Sequence, residues 1–288
     1  MAAGMKKFTL ILTAIAAALL FTQSAEAAYS RIISLYPGHT DNIIALGGAS
    51  RLVAISRNDD RTTLPSLPRF TGKSGAEELL ALKPDLVLTR GLAERQNPQL
   101  RSVLERAGVR VESIEPPSWE GFGSYLKRLA ALIGKDGAEA EARLIRLRAG
   151  IANEAKKLSK GRSPRVFVEA TEKELYTCSP DSWAAKLTAL AGGRNVAAEA
   201  KPVRAGSSVA PWGLERILKA AHKGGIEVYL IQQGAMNGAS AKSALARPWF
   251  APLKKAKLAV IPEGELSRPS LLGLEAGGRK LLSAFYER

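Results

Sequence analysis

Short apolar runs alternate with segments of helical periodicity along most of the chain. Eight runs have the length and composition of buried strands, and they cover residues 32–35, 52–55, 85–88, 109–114, 165–169, 175–178, 227–231 and 258–261. Helical patterns lie between them, at residues 40–46, 76–82, 99–106, 182–191, 214–221 and 271–285. Strands that alternate with helices predict βαβ units and mainly parallel sheets, so the predicted fold class is α/β.

A longer helical pattern occupies residues 136–160. Its apolar residues recur at steps of three and four, so they line one helical face while the other face is charged. Asp136 and Glu139 have the spacing of a capping box at the start of this helix. The pattern predicts two α/β lobes of similar construction, residues 28–135 and 161–288, joined by a single interdomain helix.

The first residues have the pattern of a targeting segment. Lys6 and Lys7 precede an apolar run that ends at Phe21, and a small-x-small cleavage pattern ends at Ala27. This order is typical of a secretory signal peptide, and the run is too short to cross a bilayer. We therefore expect a signal peptide at residues 1–27 and an exported mature chain that is not embedded in the membrane.

The composition excludes several kinds of site. The chain has one cysteine, Cys178, so no intramolecular disulfide can form, and its two histidines, His39 and His222, lie far apart in sequence. Neither a zinc nor a copper cage is expected from this set. The net charge of +15 favours acidic partners or anionic ligands. Because the charge is scattered and has no interleaved aromatics, we expect no nucleic-acid partner.

Motifs of catalysis are missing from the sequence. It has no Gly-x-Ser-x-Gly elbow, no phosphate loop and no dinucleotide fingerprint. Asp59 and Asp60 are flanked by Arg57 and Arg61, which is typical of a solvated loop rather than an acid–base pair. We predict a protein that is not an enzyme. The alternatives are an exported two-lobe hydrolytic enzyme and a scaffold or sensor domain that has lost its ligand.

Candidate binding residues follow the strands. Ligands of open α/β sheets bind at the carboxyl ends of strands, and two lobes would face each other across a cleft there. The loops that satisfy this rule are residues 36–39, 56–73, 89–98, 200–213, 232–248 and 263–270. In the first loop, Thr40 is the expected helix cap and Gly38 would allow close backbone approach.

Two glutamates stand at matching places in the lobes. Glu77 completes a capping box that begins at Ser74, and Glu215 lies at a helix start where the macrodipole favours an acid. The same two acids, exposed on a basic protein, could instead mark docking points for arginines of a partner. The residues alone leave both interpretations open.

The chain also carries an ordered set of segments that resembles a known family. The segments are Arg31-Ile-Ile-Ser-Leu-Tyr-Pro-Gly-His-Thr-Asp41, Leu80-Ala-Leu-Lys-Pro-Asp-Leu-Val-Leu88, Leu175-Tyr-Thr-Cys-Ser-Pro-Asp-Ser-Trp183, Ala191-Gly-Gly-Arg-Asn-Val196 and Leu266-Ser-Arg-Pro-Ser270. In this order they resemble the periplasmic substrate-binding proteins of cobalamin and iron–siderophore ABC importers.

The resemblance implies two Rossmann-like lobes with a ligand cleft between them, a function and two partners. A periplasmic protein would capture a metal chelate in the cleft and deliver it to the permease dimer of an ABC importer. It would act as a monomer and hold no resident cofactor, since the chelate is cargo such as a ferric siderophore, cobalamin or haem. In the family an acid on each lobe docks onto the permease, and these positions correspond to Glu77 and Glu215.

Ligand contacts are implied by position as well. They fall on Tyr36, Gly38, His39, Arg57, Asn58, Arg90, Tyr176, Trp212 and Arg268. The three arginines suit an anionic chelate. The sequence offers fewer aromatics here than the cobalamin binders it resembles. Tyr36 or His39 could serve as the axial ligand of a haem, and Trp212 could stack on a planar ligand or pack as core.

Overall fold

A computed structural model describes residues 28–60, 64, 66–222 and 224–287. The expected signal peptide, residues 1–27, lies outside the described residues. The first half of the described chain forms a five-stranded parallel sheet with the order β3-β2-β1-β4-β5. Its strands are β1 (Ile32–Ser34), β2 (Leu52–Ser56), β3 (Arg69–Phe70), β4 (Leu86–Thr89) and β5 (Arg110–Ser113). The strands at the centre are buried on both faces, as their unbroken apolar runs indicate.

Five helices accompany this sheet. They are α1 (Pro37–Ala45), α2 (Ala76–Leu80), α3 (Gly91–Gln96), α4 (Leu100–Arg106) and α5 (Phe122–Leu132). A single turn of 3₁₀ helix, Ala49–Arg51, precedes β2. The sequence pattern predicted neither α3 nor α5.

The interdomain helix is α6 (Gly137–Ser159). Asp136 caps it by accepting a hydrogen bond from the Ala138 amide at 2.7 Å. The expected partner in the capping box, Glu139, instead pairs with Arg146. The helix ends where Lys160 and Gly161 adopt left-handed backbone angles, which close its last turn.

The second half forms a sheet with the order β11-β10-β6-β7-β9, and β8 pairs with β6 beside it. Its strands are β6 (Arg165–Glu169), β7 (Thr177–Cys178), β8 (Arg194–Asn195), β9 (Val209–Ala210), β10 (Val228–Gln233) and β11 (Lys257–Pro262). All pairings are parallel except those of β7. The helices of this half are α7 (Trp183–Leu190), α8 (Leu214–His222), α9 (Ala241–Leu245), α10 (Glu263–Leu266) and α11 (Leu271–Tyr286), with a 3₁₀ segment at Pro248–Leu253. The predicted α/β class with two mainly parallel sheets and one long helix is confirmed.

The two halves share part of their hydrophobic core. One buried cluster runs from the first sheet through α5, α6 and α11 to the second sheet, while each half keeps a separate cluster of its own. Gly278 lets α11 pack closely against α6, because a Cβ at this position would lie 2.5 Å from Cδ1 of Ile151 on α6. Helix α11 also packs against α1 of the first half. The halves are therefore braced by two helices, α6 and α11.

Two expected helix caps are wrong in detail. Helix α1 begins at Pro37 with Tyr36 as its N-cap residue, because proline suits the first helical position. Thr40, the expected cap, is buried and donates to Ser34 Oγ at 2.9 Å. At α2 the N-cap residue is Gly75, whose amide donates to Glu78 rather than to Glu77. The capping box thus leaves Glu77 uninvolved.

Candidate ligand cleft

A cleft of about 1,060 Å³ lies at the carboxyl ends of strands from both sheets. Residues that follow β1, β2, β4 and β5 line it from the first half, as the strand-end rule predicts. They are Tyr36, Pro37, Asn58, Asp60, Arg90, Pro116, Pro117, Ser118 and Trp119. The larger share comes from the second half, mainly from residues 179–183, 206–208, 232–236 and 262–269. Residues of all six expected loops contribute to the lining.

Tyr36 stands at the first-half wall of the cleft. The Arg90 guanidinium lies over its ring, 4.7 Å from the centroid. A Cβ on Gly38 would collide with this ring, so Gly38 makes room for Tyr36 rather than for a ligand. Burial raises the pKa of Tyr36, and the charges of Arg90 and Arg268 oppose this shift. The phenol therefore keeps its proton at neutral pH and remains a hydrogen-bond donor at the cleft wall.

His39 does not reach the cleft. Its side chain is fully buried, with Nδ1 2.8 Å from the Tyr125 hydroxyl and Nε2 3.2 Å from the Thr89 carbonyl oxygen. Because a carbonyl can only accept, Nε2 carries the proton and Nδ1 accepts from Tyr125. Both ring nitrogens are thus occupied in the core, and the expectation that His39 faces a ligand is wrong for this arrangement.

The burial of His39 predicts a pH dependence of stability. Burial lowers the pKa of His39 to about 4 in the folded protein, whereas in the unfolded chain its pKa is near the ordinary histidine value of 6.5. Between these pH values the unfolded state binds more protons, so stability falls as the pH is lowered. The loss at pH 4 should approach about 3 kcal/mol.

Urea unfolding at a series of pH values measures this loss. His39→Gln, which cannot titrate, should show a flatter dependence between pH 6.5 and 4. Equal slopes for the two proteins would contradict the assignment.

Arg268 lines the cleft from the second half and forms salt bridges with two carboxylates of the first half. Its Nη1 lies 3.1 Å from Asp60 Oδ1 and 3.4 Å from Asp41 Oδ2. Burial disfavours its charged form, but Asp41 and Asp60 outweigh this and raise the pKa of Arg268. Arg268 was expected to offer a free positive charge to an anionic chelate. In the structure this charge is already paired with carboxylates of the first half.

Asn42 also connects the first half to the second. It is fully buried on α1, where its Nδ2 donates to the carbonyl oxygens of Gly38 and Pro269 and its Oδ1 accepts from the Leu271 amide. One side chain of the first half thereby holds the segment that leads into α11. The position of Arg268 in the cleft depends on this connection.

A pair of tryptophans forms part of the cleft that sequence reasoning missed. Trp119 comes from the first half and Trp183 from the second, and the centroids of their rings lie 4.7 Å apart. Arg148 on α6 places its guanidinium 4.0 Å from the centre of the Trp119 ring and donates to the Trp119 carbonyl oxygen. Trp119 follows β5 in the chain, so the strand-end rule applied to that strand could have found it.

Besides Gly38 and His39, three further expected contacts lie outside the cleft lining. Arg57 is exposed, and its amide donates to the Phe70 carbonyl oxygen. Trp212 packs against the second-half cluster with Arg216 5.1 Å from its ring centre. Tyr176 lies in the turn between β6 and β7. Of the nine expected ligand contacts, the lining contains Tyr36, Asn58, Arg90 and Arg268.

A buried ion pair supports the second-half lip of the cleft, which we define as residues 234–237. Glu169 is fully buried and bound by both terminal nitrogens of Arg247, at 2.5 and 3.0 Å. It also accepts from the Tyr229 hydroxyl and from Asn237 Nδ2. Asn237 pairs with Gly234 and so holds the turn that presents Met236, which is 48% exposed, to the cleft.

Glu77 and Glu215 occupy equivalent positions away from the cleft. Each is the second residue of a short helix, α2 or α8, and each is exposed. Neither glutamate belongs to the cleft lining or to a salt bridge within the described residues.

The buried thiol of Cys178 is the only cysteine in the chain, and burial raises its pKa to about 11. This agrees with a structural role. In the described part of the chain, no group of three or more His, Cys, Asp or Glu side chains could hold a metal ion. No helix among those residues is both long and apolar enough to cross a membrane.

Comparison with known proteins identifies the family. The model of the periplasmic binding protein family matches residues 24–223, and the chain belongs to that family. Its members are binding proteins, which confirms the prediction of a binding protein rather than an enzyme.

Two curated relatives are similar over part of the chain. An uncharacterized ABC transporter substrate-binding lipoprotein, YvrC, of Bacillus subtilis is 27% identical over 59% of this chain and 56% of its own length. A vitamin B12-binding protein of Yersinia pestis is 27% identical over 63% of this chain and 65% of its own length. The matches therefore span less than two thirds of each of these relatives.

Solved structures share the fold over most of the chain. A periplasmic heme-binding protein of Pseudomonas aeruginosa superposes with a TM-score of 0.71 at 24% identity, covering 90% of this chain and 93% of its own. The periplasmic vitamin B12-binding protein BtuF of Vibrio cholerae gives 0.60 at 20% identity, with 89% and 96% covered.

Proposed function

We propose that this protein is the periplasmic substrate-binding component of an ABC importer. It captures a bulky metal chelate between its two halves and delivers it, as a monomer, to the permease dimer. The chelate is cargo and not a resident cofactor. Export through the expected signal peptide at residues 1–27 would bring the protein to the periplasm. Family membership and the vitamin B12- and heme-binding relatives support this proposal.

The cleft is the observation that carries the proposal. At about 1,060 Å³ it lies at the upper end of the range of pockets that hold drug-sized ligands, about 300–1,000 Å³, so it suits a larger molecule. Its lining is rich in neutral hydrogen-bonding groups, such as Gln232 and Ser208, and in flat apolar surfaces from Trp119 and seven prolines. This combination suits a planar macrocycle with polar groups at its edge.

Among the named ligands, a corrinoid fits the lining best. Its edge carries neutral amides, which pair with serine and glutamine side chains, whereas ferric catecholates carry several negative charges and haem carries two propionates. Tyr36 is the residue that would approach the metal or an axial group, because it lines the cleft whereas His39 is buried in the core.

Ligand binding to the purified protein tests this proposal. Cyanocobalamin, haemin and a panel of ferric siderophores are each added while thermal unfolding and absorbance spectra are recorded. A ligand at one hundred times its Kd stabilises the native state by about 2.7 kcal/mol, which raises the Tm by roughly 5–10 °C. We expect cyanocobalamin to do so.

Two tryptophan variants locate the bound ligand. Trp119→Ala should weaken binding about tenfold through lost stacking, and Trp212→Ala, which lies outside the cleft lining, should leave it unchanged. If no chelate shifts the Tm, the proposed metal-chelate cargo is wrong. Mass spectrometry of ligand that co-purifies from native periplasm would then identify the true cargo.

A further inference from the structure

The cleft has a different charge balance from the rest of the protein. The chain carries 42 lysines and arginines against 27 acids. The charged residues of the described cleft lining are Arg90, Arg268, Asp60, Asp181 and Glu263. In the described cleft lining, three carboxylates thus face two arginines, although the protein as a whole is basic.

Both cleft arginines are already engaged. The Arg90 guanidinium lies over the Tyr36 ring, where it gains a cation–π contact. Arg268 pairs with Asp41 and Asp60 of the first half. Its side chain is 15% exposed, so water screens these pairs less than it would on the open surface.

The two partners of Arg268 differ in accessibility. The Asp41 side chain is completely buried on α1, whereas that of Asp60 is 59% exposed at the cleft wall. A ligand oxygen that reaches Arg268 from the cleft therefore competes with Asp60. Asp41 remains in place and balances one charge in either state.

We propose that Asp60 is a specificity-determining residue. Its carboxylate occupies the cleft side of Arg268 when the cleft is empty, so the protein binds a chelate with neutral amides more tightly than the same chelate with carboxylates in their place. This inference rests on the proposed function and narrows its substrate class to chelates of low peripheral charge.

Matched ligands measure the effect of charge alone. Cyanocobalamin is compared with its monocarboxylic acid derivatives, in which one amide is replaced by a carboxylate, and haemin is compared with its diamide. Dissociation constants are determined for the wild type and for Asp60→Asn. We expect the ratio of the affinity for the carboxylate member to that for the neutral member to rise about fivefold in the variant.

Asp181→Asn is the control variant. Asp181 also lines the cleft, but its carboxylate is 94% exposed and pairs with Lys186 rather than with Arg268. Asp181→Asn removes the same charge as Asp60→Asn. An equal gain in relative affinity for the carboxylate ligand would show that only the net charge of the cleft matters and would overturn the proposal. Circular dichroism and the Tm verify that both variants fold.

These measurements distinguish a failure of the role of Asp60 from a failure of the proposed function. Binding of either scaffold with an unchanged ratio of affinities in Asp60→Asn overturns the role of Asp60 and leaves the proposed function intact. If no member of either pair binds the wild type or the variant, the proposed function fails and the role of Asp60 fails with it. A gain in affinity for carboxylates that is confined to Asp60→Asn supports both.

Discussion

Uptake of the chelate should fall to background when Glu77 and Glu215 are both replaced by alanine, while the affinity of the purified protein for its ligand stays within twofold. Both carboxylates are exposed at the second position of their helices and lie outside the cleft lining. An interfacial pair between a carboxylate and an arginine costs about 2–5 kcal/mol when one partner is removed. Two such losses would weaken docking by a factor of about a thousand or more.

Transport assays in a strain that lacks its own copy of the protein measure this effect. A double variant of two other exposed acids, Glu174→Ala with Glu199→Ala, removes the same charge and should transport normally. Unimpaired uptake by the Glu77 and Glu215 variant would show that these acids do not dock the permease. A collapse of ligand affinity would place them in the binding site instead.

The second large effect concerns the lip of the cleft. Replacing Arg247 by methionine should lower the free energy of unfolding by about 3–5 kcal/mol, because Glu169 would keep a buried charge without its partner. The turn at Met236 should also loosen, since Asn237 is held by the same carboxylate. Ligand affinity should fall together with stability.

Urea unfolding and amide exchange across residues 234–240 test this expectation. Arg101→Met is the matched control, because Arg101 pairs with Glu94 and Glu105 at a site where its side chain is 38% exposed. That change should cost less than about 1 kcal/mol. Adding Glu169→Leu to Arg247→Met should recover part of the loss. No recovery would mean that the stranded charge is not the cause.

Much of the fold could be predicted because its signals are local. The apolar runs of β1, β4 and β10 and the amphipathic face of α6 are contained in the sequence itself. The sequence pattern does not predict helix α5, although its apolar residues lie on one face. Gly121 and Gly123 lower the helix propensity of the residues at its start. The short edge strands β3 and β9 have two residues each, too few to show a period.

The site was predictable at the level of loops but not of contacts. The carboxyl-end rule found Tyr36 and Arg90, since both directly follow strands. It could not reveal that His39 is buried, because its partner Tyr125 lies 86 residues further along the chain. Likewise the partners of Arg268 are 208 and 227 residues away. Contacts of such separation are decided by packing, and no local pattern records them.

The shared core also has a consequence for the order of folding. Helix α11 follows every other described element in the chain, yet it covers α1 and α6 and is held by Asn42 of the first half. During synthesis the ribosome therefore releases the first half with this surface still bare. The nascent polypeptide cannot complete its native packing until its last helix emerges.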